Sequence, residues 1–300
     1  MNFLITGGAG FIGSHLAETL IKQGHNVKCI DDYSNPKARY SRITPLVEYI
    51  EADIKNINVI DKEFKNIDFV FHLASDARIQ KSVDSPLKSA EINAIGTANI
   101  LNLSQKYKIK RVIFTSTSSL YKDQNKLLNN ELDEVDPKTV YGVSKLFGEN
   151  MMKLYSKIYN LDTVSLRLFN VYGDGELNEG KYATVIGKFL LQRAYGDILT
   201  IVGDGKQRRD FTNIADVVNA LILAAMHKDP LNGEVYNVGT GQNYSILEIA
   251  QLISENIEFV PKRTAELNYT RADNSKIFKD LGWQPKINIK EWLLTKNNYK

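Results

Sequence analysis

The chain lacks the residues and patterns on which several function classes depend. It has a single cysteine, Cys29, within the apolar run Val27-Lys28-Cys29-Ile30. One cysteine cannot build an internal disulfide framework, and a buried, reduced thiol fits a cytoplasmic protein. The four histidines, His15, His25, His72 and His227, are scattered without metal-ligand spacing, so no metal is expected. No apolar run reaches the ~18 residues of a membrane-spanning helix. The N-terminus, Met1-Asn2-Phe3-Leu4-Ile5-Thr6-Gly7, has neither the basic stretch nor the longer apolar core of a secretion signal. Charge of neither sign dominates: the net value is +3 over 300 residues, with no long basic run. Neither nucleic acid nor membrane is therefore expected as a partner.

What is present reads as a soluble globular protein, 43% apolar and 24% charged, with ample core for one large or two ordinary domains. The first half alternates short apolar runs, at 3–6, 27–30, 69–74, 111–115 and 163–169, with helical patterns at 14–23, 86–107 and 141–160. Nearly all-apolar strands separated by helices predict a parallel sheet covered on both faces. After about residue 170 the pattern changes. Loops rich in glycine and charge (173–181, 203–210) separate short strands from helices near 183–195, 216–227 and 246–256. The expected division is a first domain at 1–170 and a smaller α/β domain at 171–300, with part of 205–240 able to pack back on the first. Asp216 is expected to cap the helix it starts.

Two local patterns carry chemistry. Gly7-Gly8-Ala9-Gly10-Phe11-Ile12-Gly13 follows the first strand and opens the first helix. Such glycines permit a tight turn, close approach of a pyrophosphate and tight helix–strand packing, while the helix N-terminus offers free N–H groups to the anion. Asp31 follows Gly13 by 18 residues, at the end of the second strand, where a carboxylate takes ribose hydroxyls and repels a 2′-phosphate. NAD is thus favoured over NADP, with Asp32 adding charge and Lys37 and Arg39 nearby. In Tyr141-Gly142-Val143-Ser144-Lys145, the tyrosine and lysine share one helix face. An ammonium beside a phenol favours the phenolate and makes it a usable acid–base group.

With these residues placed, the chain resembles, almost end to end, the extended short-chain dehydrogenase/reductases, specifically their nucleotide-sugar epimerases and dehydratases. Gly7, Gly10 and Gly13 match the glycine motif, flanked by Phe11 and Ile12; Asp53-Ile54 resembles the adenine-contacting pair. His72-Leu73-Ala74-Ser75 is similar to a His-Leu-Ala-Ala segment beside the cofactor, and Asn93-Ala94-Ile95-Gly96-Thr97 to an Asn-x-x-Gly-Thr segment. The resemblance therefore implies cofactor roles for Leu73, Ala74, Asn93 and Lys145. It points to Thr117, in Thr115-Ser116-Thr117-Ser118-Ser119-Leu120-Tyr121, as the third catalytic residue beside Tyr141 and Lys145. Arg167-Leu168-Phe169-Asn170-Val171-Tyr172-Gly173 resembles the segment whose Asn holds a sugar nucleotide's diphosphate, and 203–211 the loop whose Arg, here Arg209, clamps it. Arg263 aligns with a second diphosphate arginine. Tyr182 is either a substrate contact or a core residue.

The family fold implied is a Rossmann-type, doubly wound parallel sheet with a smaller α/β substrate-binding domain. The activity implied is NAD-dependent oxidation and re-reduction of a sugar carbon, normally C4, in a nucleotide sugar, a UDP-hexose being favoured. Thr117, Ser118, Tyr141, Asn170, Arg209 and Arg263 would meet the substrate. Related dehydratases carry Asp-Glu after the catalytic Thr, and decarboxylases a Glu at the second position; this chain has Ser118-Ser119. That difference moves the expectation from elimination or decarboxylation to 4-epimerisation. Another departure is Tyr121-Lys122 in place of Tyr-Gly. The family usually dimerises through two helices per subunit, here 86–107 and 141–160, which implies a homodimer.

Overall fold

The computed structural model describes residues 1–35, 44–122, 128–261 and 268–297. Five of its strands fall on the apolar runs: β1 (Asn2–Thr6), β2 (Asn26–Asp31), β4 (Phe69–His72), β5 (Arg111–Thr117) and β6 (Thr163–Leu168). β3 (Glu48–Glu51), charged at both ends, forms one edge, and the strand Glu234–Val238 forms the other. All pairings in this seven-stranded sheet are parallel, in the order Glu234–Val238, β6, β5, β4, β1, β2, β3. Strand order reverses between β1 and β4, and a ligand crevice opens where such a sheet switches direction.

Both faces of the sheet are covered, which is why β5 and β6 are buried along their whole length. On one face Phe3, Ile5, Phe71 and Ile113 pack with Leu16 and Leu20 of the helix Phe11–Lys22 and with Val217 and Leu221 of the helix Ile214–Met226. On the other, Leu4, Val70, Val112 and Phe114 pack with Ile60, Ile100, Leu101 and Met152. Residues 214–238 therefore belong physically to the first body. A second core gathers Tyr172, Phe189, Leu199, Ile201, Phe211, Ile249 and Leu293, beside a parallel pair made by Leu199–Val202 and Ile257–Val260.

Two local expectations need correction. The cap of the helix Ile214–Met226 is Asn213, whose side chain accepts from the Ala215 N–H. Asp216 lies inside the first turn, where its carboxylate accepts from the Lys286 and Ile287 N–H groups at 3.0 Å each. It pins a later segment instead of capping its own helix. The region 86–107 is also not one regular helix: a π-helical turn, Glu91–Ile95, interrupts it between Pro86–Ala90 and Gly96–Lys106. Such turns recur at functional sites.

Candidate active site

A cleft of about 940 Å³ runs across the carboxyl ends of β1, β2, β4 and β5. Its floor is the glycine turn. Gly7 has φ +74°, and a Cβ there would lie 2.8 Å from the Ala74 nitrogen; a Cβ on Gly13 would lie 2.2 Å from the Gly7 carbonyl oxygen. The turn is thus closed to any larger residue at either position. Gly10 precedes the helix Phe11–Lys22 without a side-chain cap, so the first N–H groups remain available to an anion. Gly8, given no role by the sequence reading, lets the turn sit on β2: its Cβ would meet the Cys29 Sγ at 2.3 Å.

Asp31 ends β2 at one side of the cleft. Its two carboxylate oxygens accept from the Ala9 N–H at 3.0 Å and the Tyr33 N–H at 2.9 Å, while burial raises its pKa. Phe11, Ile12, Asp32, Asp53, Ile54, Leu73 and Ala74 line the same space. A backbone cradle at a helix N-terminus with a fixed carboxylate beyond it fits a dinucleotide: pyrophosphate over the turn, ribose at Asp31. Asn93 is placed differently. It is buried behind the cleft, accepting from the Asp76 N–H at 2.8 Å and donating to Ser144 Oγ at 3.0 Å. Its geometry joins the loop after β4 to the helix Val140–Tyr159, so it positions the wall and does not line it.

That helix starts at Thr139, whose hydroxyl accepts from the Gly142 N–H. Its first turns deliver Tyr141 and Lys145 to the cleft, opposite Thr117 and Ser118 at the end of β5. Thr117 Oγ1 accepts from the Ser119 N–H at 3.1 Å and donates to Ser119 Oγ at 3.2 Å. Burial raises the Tyr141 pKa, while a hydrogen bond with Thr117 and the charge of Arg78 pull it down. Lys145 lines the same cleft one helical turn further on. Its Nζ donates to the Thr115 carbonyl at 2.8 Å and lies 4.6 Å from the Phe114 ring centroid, and burial lowers its own pKa to about 7. Thr117 and Arg78 thus act on the Tyr141 phenol, while Lys145 is anchored to the end of β5 in the same cleft. Behind the site, His72 bridges Thr6 and Thr97 at 2.8 Å each, and burial lowers its pKa to about 3, so it is a neutral strut.

A second recess of about 310 Å³ adjoins the cleft, and Asn170 and Arg209 line it. Asn170, at φ +24°, donates to the Asp210 carbonyl at 2.8 Å; Arg209 donates to the Arg208 carbonyl at 3.0 Å. Arg263 lies outside the described residues, as do Lys37 and Arg39. Two charged residues missed in the sequence, Arg78 and Glu176, line both recess and cleft. Asp76 and Lys81 stand nearby, paired at 2.8 Å. The signal for this group was a dense set of charges directly after His72-Leu73-Ala74-Ser75, in a connection otherwise read for its apolar residues. At the rim, Asp84 accepts from Lys181 Nζ at 2.6 Å and from the Tyr182 hydroxyl at 2.9 Å. Tyr182 is thereby a rim residue of the cleft. Among the described residues no cluster of His, Cys, Asp or Glu could hold a metal ion, and no helix is long and apolar enough to cross a membrane.

Known proteins resemble this chain in sequence and in fold. Residues 3–239 match the model of the NAD dependent epimerase/dehydratase family. A putative UDP-glucose 4-epimerase of Methanocaldococcus jannaschii is 33% identical over 299 residues, covering 96% of this chain and 94% of that protein. A UDP-N-acetyl-alpha-D-glucosaminuronate decarboxylase of Bacillus cytotoxicus is 37% identical over 258 residues, covering 84% and 79% respectively. The crystal structure of a UDP-glucose 4-epimerase with UDP-glucose, from Thermotoga maritima, matches with a TM-score of 0.94 at 32% identity, over 100% of this chain and 98% of that one. With a Rossmann-type sheet, a dinucleotide cradle and these relatives, the chain belongs to the NAD-dependent epimerase/dehydratase family of extended short-chain dehydrogenase/reductases.

Proposed function

We propose that the protein is a nucleotide-sugar 4-epimerase, acting on a UDP-hexose through a transient 4-keto sugar. The observation that carries this reading is the turn after Thr117. Its next two side chains are the hydroxyls of Ser118 and Ser119, and Ser119 Oγ is engaged by Thr117 itself. Elimination of the 6-hydroxyl requires an acid or base at that place, and two serines supply neither. Redox inversion at one carbon needs only a proton acceptor and a hydrogen-bond donor at the sugar oxygen. Tyr141 takes the proton of the C4 hydroxyl and later returns it. Thr117 holds the same oxygen, and Lys145 completes the wall behind them. Bound NAD supplies the hydride acceptor and donor. Asn170 and Arg209 hold the diphosphate while the keto sugar turns between its two faces, through neutral and charge-assisted hydrogen bonds.

Incubating the purified protein with UDP-, GDP-, CDP- and dTDP-sugars, followed by proton NMR, tests the reading. Inversion at C4 without added cofactor is expected. A keto, dehydrated or decarboxylated product accumulating instead would overturn it. We also propose a homodimer formed through the helices flanking the site. Val143, Phe147, Leu154 and Ile158 make an exposed stripe on Val140–Tyr159, next to exposed Leu87 and Ile95. Phe147→Glu is expected to give a monomer in sedimentation; an unchanged sedimentation coefficient would place any interface elsewhere.

A further inference from the structure

The relatives leave one question about the substrate open, because one is named for a neutral hexose and another for a hexuronate. Charges in the cleft bear on it. Lys81 is paired with Asp76, and Lys181 with Asp84. Arg78 is different. Among the described residues no hydrogen bond or ion pair reaches its guanidinium, and its interactions are through space, with Tyr141 and Glu176. Glu176 is 8% exposed and held in place by Thr184 Oγ1 at 2.5 Å and the Gly173 N–H at 3.5 Å. Each of its oxygens keeps acceptor capacity beyond that one bond. Arg78 and Glu176 line the same two spaces, where the cleft holding Tyr141 meets the recess holding Arg209. An unbonded cation and a fixed carboxylate, close enough to feel one another but not joined, leave room for a group that can accept from one and donate to the other.

We propose that Arg78 and Glu176 form a sugar-recognition pair that selects a nucleotide sugar with an uncharged hexose, a hydroxyl or acetamide bridging the two heads, and that Glu176 rejects a hexuronate. The inference rests on the nucleotide-sugar reading above, since the sugar then lies between Tyr141 and the diphosphate. A hydroxyl both accepts and donates, so it satisfies both partners at once. A carboxylate reaching Arg78 can only accept, and it brings a second negative charge beside Glu176 in a poorly solvated space. Relative to a neutral group in place of Glu176, that second charge about 5 Å away reduces affinity for the carboxylate on the order of 10–100-fold and offsets the pull of Arg78. Because decarboxylation of this kind requires a hexuronate, the same pair disfavours that reaction.

Selectivity is best measured at pH 8, above the value of about 7 to which burial raises the Glu176 carboxyl. Wild-type kcat/KM is expected to be at least about tenfold higher for UDP-glucose or UDP-N-acetylglucosamine than for UDP-glucuronate. Glu176→Gln keeps the shape and removes the charge. It should shrink that ratio by about tenfold, mainly through a lower KM for UDP-glucuronate. Titration calorimetry on Tyr141→Phe reads the same preference as binding, without turnover. Equal or better use of UDP-glucuronate by the wild type, or a ratio untouched in folded Glu176→Gln, overturns the proposal while leaving 4-epimerisation standing. Preferential binding of neutral sugars without C4 inversion by the wild type would support the pair and overturn the epimerase reading.

Discussion

Two arginine–glutamate couples stand in the same molecule and differ in one respect. Arg167, on β6, meets Glu149 through two hydrogen bonds, Nε at 2.9 Å and Nη2 at 2.8 Å, with the side chains 4% and 1% exposed. Its guanidinium also lies 4.8 Å from the Tyr121 ring centroid. Arg78 and Glu176 sense each other but make no bond. A buried charge whose donors are all spent on protein can serve only the fold. One that lines a cleft with no bonded protein partner among the described residues stays available to a ligand. The contrast extends to Arg111, which binds Asp162 and the carbonyls of Ala224, Ala225, His227 and Asp229 at the end of the sheet remote from the cleft.

The largest effect expected is on the cleft side. Tyr141→Phe should lower kcat by about 10²–10⁴-fold with NAD binding retained; wild-type turnover in that variant would remove the catalytic assignment. The fold-side couple comes next. Arg167→Met strands Glu149 as an unpaired buried charge and should cost about 3–5 kcal/mol in urea unfolding. A loss below 1 kcal/mol would abolish the distinction between the couples. Arg78→Met should show the converse: unfolding within about 1 kcal/mol of wild type, but a substrate KM raised about tenfold. Arg209→Ala is expected to raise KM to a similar extent, and an unchanged KM would argue against its diphosphate role.

The last effect is a pH dependence, spread over more than two pH units. Burial pushes the Glu176 carboxyl up to about 7 in the folded chain, against an ordinary 4.5. Between these values the folded state holds a proton that the unfolded state has released. Wild-type stability should therefore be fully favoured below about pH 4.5 and fall as pH rises to about 7, by about 1–3 kcal/mol. Glu176→Gln should flatten that slope in denaturant melts at pH 5 and 7. Identical slopes would mean that the carboxyl is not held protonated by its surroundings.

The difference between the couples also marks what the sequence could disclose. Five sheet strands were legible because a parallel strand covered on both faces must be apolar at nearly every position. β3 was not, since Glu48-Tyr49-Ile50-Glu51 sits at an edge with charged ends. The seventh strand lies in the half where domain composition changes, and only packing returns it to the first sheet. Within the site, the glycine turn, Asp31, Thr117 and Tyr141 announce themselves because backbone shape or reaction chemistry restricts the residue type. Nothing local separates Arg78 from Arg167, or Asn93 as a strut from Asn93 as a ligand. Those roles are assigned by partners far along the chain, Ser144 for Asn93 and Glu149 for Arg167. Asp216 shows the same rule, its carboxylate being claimed by backbone about 70 residues away.

The contact of Asp84 with Lys181 and Tyr182 joins two segments of the cleft rim through partly exposed groups. Such pairs contribute about 0–1 kcal/mol each. This contact is weaker than one turn of core packing, whereas the sheet beneath it is held by buried apolar side chains on both faces. Rising ionic strength would therefore loosen this clasp at the rim before it reached the apolar packing that carries the cleft.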